Sequence, residues 1–307
     1  MAGRKSILRF SAMFLAIITI SNPAQGQNGV SKFKDVNAPR AMETDTYAVN
    51  NFGVIAGDYV DSNRVQHGMI LNGKSLTTVD RAGCLTTPGP GAIALFGLTS
   101  KDVAVGWCFD TNQQTDVAFE FNHGRITTIS ISGAVSVQAQ GINDAGQVVG
   151  DYLDETGLQH GFLLTGAKLT RLDVAGHQTP VAWSINNAGL ISIYAVNANQ
   201  FVDSFITNGK RYQKVNVPGA AQSMVHGIDR FGDRVYTFLD SAGNEHGAFF
   251  LNGIYYKFND PNDKKKNTTQ GYGLNDKLEI IGDYLPGASH GPTAGVNQGF
   301  LAYGCCR

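Results

Sequence analysis

The chain has 307 residues, of which 37 are glycine and 42% are apolar, and its formal net charge is −1. This near-neutral balance provides no basic face to displace counterions, so it argues against nucleic-acid binding. Short runs rich in Val, Ile, Phe and Tyr alternate with glycine and predict strands and tight turns, and no long stretch has helical periodicity.

The N-terminus is typical of an export signal. Three basic residues within the first nine positions precede the mostly apolar stretch 10–20, and small residues stand at 24 and 26, where a signal peptidase reads the chain. The apolar stretch is shorter than the roughly 20 residues that span a bilayer. We therefore predict a signal peptide, 1–26, and a mature domain, 27–307, whose net charge moves from −1 to −4. We expect a secreted protein, extracellular or periplasmic, without a stable membrane anchor.

The mature chain consists of six copies of one repeat. Each copy is marked by the apolar residue before a turn: Val49, Leu98, Ile142, Ile185, Ile228 and Leu274. The markers are 43 to 49 residues apart, and a regular period of about 40–50 residues indicates a propeller or a solenoid.

Every copy divides into four predicted strands, A to D. Strand A ends at an Asn, or at Thr99 or Asp229 in the matching places, whose side chain can cap a tight turn. Strand B runs through Gly-Asp-Tyr, and strand C begins at His-Gly and ends at a second turn of the Asn-Gly type. Strand D follows that turn. Four short antiparallel strands make one blade.

The ends of the repeat predict how the blades close. The sixth copy stops after its C strand at residues 299–303, whereas 33–37 near the N-terminus resembles the D strand 257–260. An N-terminal strand would then complete the last blade and leave no exposed sheet edge. We predict an all-β fold, a six-bladed β-propeller of four-stranded antiparallel blades closed by that strand. A β-solenoid is the alternative.

Three motifs together resemble a known group. Gly-Ile-Asn-Asp-x-Gly at 141–146, Val-Val-Gly-Asp-Tyr at 148–152 and His-Gly-Phe-Leu-Leu at 160–164 are similar to the bacterial extracellular HAF-repeat family. The resemblance extends over nearly all of the mature chain and is closest in the first and third copies. It implies a secreted, propeller-like repeat protein and brings no established activity, so no catalytic residue is carried over.

Recurring His and Asp residues are the first candidates for chemistry. The histidines at the start of strand C are His67, His160 and His246, and the aspartates of strand B are Asp58, Asp151 and Asp283. Such residues can bind a metal or transfer protons. Because they recur, whereas a catalytic site is normally single, we interpret them as structural, with each strand-C His bonded to a strand-B Asp. We predict no metal and no cofactor.

The four cysteines fit an oxidising compartment. Cys84 and Cys108 lie in the same region and could be bridged. The adjacent Cys305 and Cys306 reach elsewhere or stay reduced. The spacing of the four matches no Cys-x-x-Cys pair, which argues against a metal site.

Two sets of residues are candidates for binding. One residue per copy, two positions before the apolar marker, is predicted to line the central channel near its mouth: Tyr47, Phe96, Gln140, Trp183, His226 and Tyr272. These would suit stacking on a sugar or holding a peptide. The alternative is that they pack between blades, while the small residue after each lets the inner strands approach closely.

The second set lies on the loops. The D-to-A and B-to-C connections emerge on one face, and loops on a rigid scaffold usually carry binding. The distinctive loops are 82–92, 260–270 and 285–298. The candidates on these loops and on the neighbouring N-terminal segment are Arg40, Glu43, Asp45, Asp263, Lys264 and His290.

No nucleophile elbow, zinc-protease motif or phosphate-cradling loop occurs in the sequence. We therefore expect a non-catalytic binding module that recognises a glycan or an extracellular protein through its loop-rich face. The alternative is an extracellular hydrolase or lyase acting on polysaccharide, which would need two carboxylates facing an open channel. The candidates for such a pair are Glu43, Asp45, Asp229 and Asp263.

Overall fold

The structure, a computed structural model, describes residues 29–264, 267–286 and 297–304. The predicted signal peptide lies outside these ranges, as do His290, Cys305 and Cys306. In the described ranges, the structure has no helix that is long and apolar enough to cross a membrane.

The described residues form strands of three to nine residues throughout the repeat. The N-terminal strand is β1 (Val30–Val36). Copy 1 gives β2 (Glu43–Val49), β3 (Ile55–Val60), β4 (Gln66–Asn72) and β5 (Ser75–Val79). Copy 2 gives β6 (Ala94–Leu98), β7 (Ala104–Asp110), β8 (Thr115–Asn122) and β9 (Arg125–Ile129). Copy 3 gives β10 (Ala134–Ile142), β11 (Gln147–Asp154), β12 (Gln159–Thr165) and β13 (Lys168–Arg171).

The second half of the chain continues the same order. Copy 4 gives β14 (His177–Ile185), β15 (Ile191–Asn197), β16 (Val202–Thr207) and β17 (Tyr212–Lys214). Copy 5 gives β18 (Gln222–Ile228), β19 (Arg234–Leu239), β20 (Glu245–Leu251) and β21 (Ile254–Phe258). Copy 6 gives β22 (Gln270–Leu274), β23 (Glu279–Tyr284) and β24 (Gln298–Gly304).

The strands pair as four-stranded antiparallel blades of a β-propeller. Each of copies 2 to 5 forms its own sheet in chain order. The remaining described strands share one sheet of order β22-β23-β24-β2-β3-β4-β5, with β1 beside β24. In that sheet β24 and β2 are joined by a single parallel pair, Thr44 with Gln298, whereas the other pairings are antiparallel.

The N-terminal strand pairs along its length with the last strand. The β1–β24 register runs from Val30 opposite Gly304 to Val36 opposite Gly299. The ring of Phe33 in β1 packs on Phe300, with centroids 5.6 Å apart. This places residues from opposite ends of the sequence in one hydrophobic cluster.

Glycine on the innermost strands lets neighbouring copies approach closely. A Cβ added to Gly97 would lie 2.8 Å from the Gly141 Cα atom, and one added to Gly141 would lie 2.8 Å from the Trp183 carbonyl oxygen. Real Cβ atoms do not come this close to backbone, so each position requires glycine. At these glycine positions the inner strands therefore approach closely, as one part of the alternative interpretation expected.

The turn between strands A and B joins each copy to the next. The Oδ1 atom of Asn143 accepts the backbone N–H groups of Ala145 and Gln147, at 3.1 and 3.0 Å. Its Nδ2 donates to the Asn186 carbonyl of the next copy at 3.1 Å. The equivalent donations are Asn50 to Thr99 (3.0 Å), Asn186 to Asp229 (2.7 Å) and Asn275 to Asn50 (2.8 Å). The predicted turn-capping role of these asparagines is confirmed, and together they form what we call the Asn girdle.

Two copies carry other residues at the girdle position and are joined differently. Thr99 and Asp229 each accept two backbone N–H groups of their own turn, but neither side chain has an amide to donate. The backbone N–H of the following residue donates to an Asp of the next copy: Ser100 to Asp144 (2.7 Å) and Arg230 to Asp276 (3.1 Å). The same type of backbone bond also occurs in copies 3 and 6, so copies 2 and 5 keep this link and lack only the amide bond.

Cys84 and Cys108 form a disulfide, with Cα atoms 5.5 Å apart. It ties the long connection after β5 to strand β7. The Arg81 guanidinium lies over the same region and donates to the Asp110 carboxylate at 2.7 Å. Bridging of the first two cysteines, which the sequence left open, is therefore observed.

The bonds of the Asn girdle predict that substitutions of Asn186 destabilise the protein, and that Asn186→Ala does so more than Asn186→Asp. In Asn186→Ala the turn loses its cap and the buried Asp229 carbonyl loses its donor, so we expect the free energy of unfolding to fall by about 2–4 kcal/mol. Asn186→Asp keeps the acceptor and loses only the donor, so we expect a smaller loss. Urea unfolding measures both, with the exposed Asn122→Ala as control. Equal stability of Asn186→Ala and Asn122→Ala would contradict the role of the girdle.

Candidate ligand-binding site

The six predicted channel residues meet at the centre of the propeller. Neighbours around the centre are in ring contact: Tyr47 with Phe96 (4.6 Å between centroids), Tyr47 with Tyr272 (5.1 Å), Trp183 with His226 (4.4 Å) and His226 with Tyr272 (4.9 Å). The Trp183 ring also reaches Phe96 and Tyr272, each at 5.8 Å. Copies 2, 4 and 6 supply these three residues, so the contacts cross the centre and the side chains form an aromatic layer.

Members of this aromatic layer differ in exposure. Gln140 and His226 are buried, whereas Tyr47, Phe96, Trp183 and Tyr272 are partly exposed. Burial lowers the pKa of His226 to about 4, so its imidazole is neutral at physiological pH and its Nδ1–H donates to the Gly271 carbonyl at 2.8 Å. His226 is therefore a fixed, uncharged member of the layer.

A small depression lies above the aromatic layer on the side of the A–B turns. Its volume is about 120 Å³, and its floor includes Tyr47, Phe96, Trp183 and Tyr272. Its wall is made of residues at the A–B turns of the six copies: 48–51, 97–98 with Ser100, 141–144, 184–187, 227–230 and 273–276. Aromatic faces at the bottom are thus surrounded by amide, carboxylate and backbone groups.

Buried carboxyl groups lie on the other side of the aromatic layer. Asp45 of β2 stands directly opposite Asp58 of β3 in the strand register, and both lie close to Asp283 of β23. Burial, and then the Glu43 charge, raises the pKa of Asp45 to about 7. Burial and then the Asp45 charge raise the pKa values of Asp58 and Asp283 well above their usual range.

The tyrosines of the layer turn their hydroxyl groups toward these carboxyls. Burial, and then the charges of Asp45 and Asp58, raises the pKa of Tyr47 well above its usual range. The Tyr272 hydroxyl donates to the Gln270 side-chain oxygen. Since the hydroxyls point inward, the exposed part of both residues is ring surface. The layer therefore separates an aromatic depression from an acidic interior.

Another buried carboxyl, that of Asp151, lies apart from this cluster in copy 3. Burial raises the pKa of Asp151 to about 7, and a hydrogen bond with the Gln140 side chain acts in the opposite direction, lowering this pKa. Its Oδ2 atom accepts from Gln159 at 3.1 Å. No Lys or Arg is among the groups that set the pKa of Asp151. Burial is thus the dominant influence, and it favours the protonated form.

The predicted pairing of strand-C His with strand-B Asp is wrong. His67 contacts Asp80 at 2.7 Å, and His160 contacts Asp173 at 2.9 Å. The third histidine, His246, contacts Asn259 at 2.8 Å. In copies 1, 3 and 5 this partner follows strand D. The other ring nitrogen faces the Asp at or just after the end of strand B: Asp61 (3.8 Å), Asp154 (3.1 Å) and Asp240 (3.2 Å).

Strand register explains the error. His67 lies opposite Tyr59, whereas Asp58 lies opposite Gly68. Opposed residues share a face of the sheet and adjacent residues point to opposite faces. His67 and Asp58 therefore cannot meet. The histidine joins the outer edge of the blade, and Asp58, Asp151 and Asp283 are left facing the interior.

Only part of the predicted acidic set comes together. Glu43 and Asp45 lie within one cluster with Asp58 and Asp283, as their mutual influence on pKa shows. Asp229 instead caps an A–B turn. Asp263 is buried and accepts from the Thr268 N–H at 3.0 Å and from the Thr269 hydroxyl at 2.9 Å. Asp58 and Asp283 were missed as cluster members because their recurrence favoured a purely structural interpretation.

The loop candidates occupy a different end of the molecule. Arg40 and Lys264 are exposed, and Glu43 accepts the Asn297 N–H at 3.2 Å. Strand A runs from the D–A loop to the A–B turn, so these residues lie at the end of the blades away from the depression. In the described part of the chain, no group of three or more His, Cys, Asp or Glu residues has metal-binding geometry.

Comparison with known proteins gives a likeness of fold alone. No protein-family model matches the chain, and no curated protein matches it significantly in sequence. AofleA from Arthrobotrys oligospora is similar with a TM-score of 0.54 at 8% identity, over 89% of this chain and 88% of AofleA. TolB from Acinetobacter baumannii gives 0.52 at 12% identity, over 87% of this chain and 65% of TolB. The fucose-recognising lectin of Aleuria aurantia, a six-bladed β-propeller, gives 0.48 at 10% identity, over 81% and 90%.

The buried carboxyls predict a dependence of stability on pH. Asp45 and Asp151 have pKa values of about 7 in the folded protein and ordinary values of 3.8. Between these values the folded state binds more protons than the unfolded state, so the free energy of unfolding falls as pH rises from about 4 to 7. We expect Asp151→Asn to remove on the order of 2–4 kcal/mol of this decline.

Chemical denaturation at several pH values measures this effect. Asp154→Asn is the matched control, because hydrogen bonds from Thr156 and His160 lower the pKa of Asp154 and its contribution is lost on acidification instead. An unchanged slope between pH 4 and 7 in Asp151→Asn would show that Asp151 is ionised in the folded protein.

Proposed function

We propose that the chain is a secreted, non-catalytic carbohydrate-binding propeller that receives the end of a glycan in the depression above the aromatic layer. The observation that carries this proposal is the combination of partly exposed aromatic rings on the floor with polar turns around them. Sugars offer C–H faces to aromatic rings and hydroxyls to amides and carboxylates, and small-ligand sites combine such apolar and polar groups.

We infer that the six copies form six blades in a closed ring. Two observations support this. The largest sheet divides at its single parallel contact into β2–β5 and β22-β23-β24-β1, each antiparallel and four strands long. The Asn275 amide donates to the Asn50 carbonyl across that division, as in the other girdle bonds. We further propose membership in the HAF-repeat group, on the motifs at 141–146, 148–152 and 160–164.

The alternative, a hydrolase or lyase, has less support. Its acid pair would be Asp45 with Asp58 or Asp283, and burial raises the pKa of each. These carboxyls lie behind the aromatic layer as seen from the depression. A general acid and a general base must reach the scissile bond from two sides of the sugar, which this arrangement does not permit from the A–B turn side.

Exposed aromatic residues extend the proposed glycan face beyond the depression. Phe52 and Phe231, at the third position of their A–B turns, are 73% and 57% exposed. The Arg230 guanidinium lies 4.4 Å from the centroid of the Phe231 ring. The ligand is placed on this face because the aromatic floor of the depression opens there.

Trp183 provides the most direct test of this function. We expect Trp183→Ala to weaken glycan binding at least about tenfold, because the loss of one stacking surface costs about 1.4 kcal/mol or more. Trp183→Phe should retain most of the affinity. A glycan array on the mature protein identifies the ligand, and titration calorimetry, which does not depend on Trp183 as a reporter, then measures affinity.

The control is Leu169→Ala, on an outer strand away from the depression, which should bind as the wild type does. Thermal unfolding establishes that each variant is folded. If the wild-type protein binds no glycan on the array, or if folded Trp183→Ala binds with full affinity, the proposed site is contradicted.

A further inference from the structure

A second cavity lies between copies 1 and 2, away from the aromatic layer. Its volume is about 490 Å³, compared with about 120 Å³ for the central depression. Strands β4 and β5 form one wall, and the ends of β8 and β9 with their turn form the other. We call it the inter-copy cleft.

The strand-D residue that borders the cleft in copy 2 is aliphatic. Ile126 pairs with Phe121, and the equivalent residues are leucine in copies 1 and 3 (Leu76 and Leu169) and aromatic in copies 4 to 6 (Tyr212, Tyr255 and Phe33). Each of those aromatic residues reaches the preceding copy. Tyr255 donates its hydroxyl to the Val215 carbonyl at 3.2 Å, and the Phe33 ring lies 6.1 Å from Phe258. The shorter Ile126 leaves the corresponding space open.

The lining of the cleft combines hydroxyl groups with an apolar floor. Ser75, Thr77 and Val79 alternate along β5 and so project from one face of the strand. Val79 packs in the hydrophobic cluster that includes Leu95 of copy 2, so this face is turned toward copy 2. Ser75 and Thr77 are exposed, whereas Ile70, Val79 and Phe121 are buried.

Two carboxylates are held in place beside these hydroxyls. One oxygen of Asp80 contacts His67 at 2.7 Å, and Oδ1 of Asp102 accepts from the Asn50 amide at 3.0 Å. The second oxygen of each carboxylate is left for a ligand. The residues that line the cleft include His123 but no Lys or Arg. This composition disfavours anions and suits a group that donates several hydrogen bonds.

We infer that the inter-copy cleft is a second saccharide site, for a neutral sugar unit whose hydroxyls bond Asp80, Asp102 and Thr77. The inference rests on the proposed function, because it assigns a further site to the same class of ligand. Its volume is sufficient for a mono- or disaccharide, and small-ligand pockets are commonly of this size. Neutral sugars carry vicinal hydroxyls, which donate to fixed carboxylate oxygens, and an apolar face, which fits the floor.

Ile126→Tyr tests the cleft by introducing the aromatic side chain that copies 4 to 6 carry at this position. We expect the variant to remain folded and to lose one of two saccharide sites. The probes are the methyl glycosides of glucose, galactose, mannose, fucose and N-acetylglucosamine, titrated by calorimetry. Leu169→Tyr, at the equivalent position of copy 3, is the matched control and should keep both sites.

A second variant removes one polar contact without filling the cavity. Thr77→Val has nearly the same shape, and we expect about five- to tenfold weaker binding at the cleft from loss of one hydrogen bond. This variant decides the question if Ile126→Tyr does not fold. Unchanged affinity and stoichiometry in Thr77→Val and in folded Ile126→Tyr would overturn the cleft as a saccharide site.

The central variant separates this inference from the proposed function. If Trp183→Ala loses all binding and Ile126→Tyr loses none, the cleft is refuted and the central site stands. The reverse result supports the cleft and refutes the central site. If the wild-type protein binds none of the five glycosides, the cleft proposal is overturned, while the array still tests the central site with larger glycans.

Discussion

The propeller depends on one bonding pattern, in which a single asparagine side chain serves two copies at once. The Oδ1 atom of Asn186 accepts N–H groups from Ala188 and Leu190 at 3.0 and 2.9 Å, and its Nδ2 donates to the Asp229 carbonyl at 2.7 Å. The acceptor closes the turn, and the donor holds the next copy. A buried carbonyl without a donor costs about 1–3 kcal/mol. Four of the six copies use this pattern, whereas copies 2 and 5 cap the turn with Thr99 and Asp229 and lack the amide donor.

The close packing of the inner strands follows from this pattern and determines the centre of the molecule. Glycines such as Gly97 and Gly141 bring the strands within a distance that excludes a Cβ atom. The residues beside them, Phe96 and Gln140, are then forced together with their equivalents. The large rings fill the centre, leave a shallow depression on one side and bury Asp45 and Asp58 on the other. Desolvation then favours the neutral carboxyls.

Much of this arrangement could be predicted from the repeat, because the same short motif forms the same turn and strands in each copy. The turn-capping asparagines, the strand order and the four-stranded blades follow from short motifs such as Asn143 to Gly146. The partner of His67 did not follow, because it depends on register: one residue separates the face that carries Tyr59 from the face that carries Asp58. The proximity of Asp45 to Asp283 did not follow either, since a predicted order of strands does not determine which side chains meet across the largest sheet.

The pairing of β1 with β24 completes this sheet. Phe33 and its neighbours in β1 must cover β24, because otherwise β24 would be an open edge. Native-state hydrogen exchange measured by NMR tests this directly. We expect the β24 amides that bond β1 to exchange as slowly as the β20 amides that bond β21, through opening of the whole domain. Exchange of those β24 amides at the rate of an unpaired edge strand would contradict a ring closed by its N-terminus.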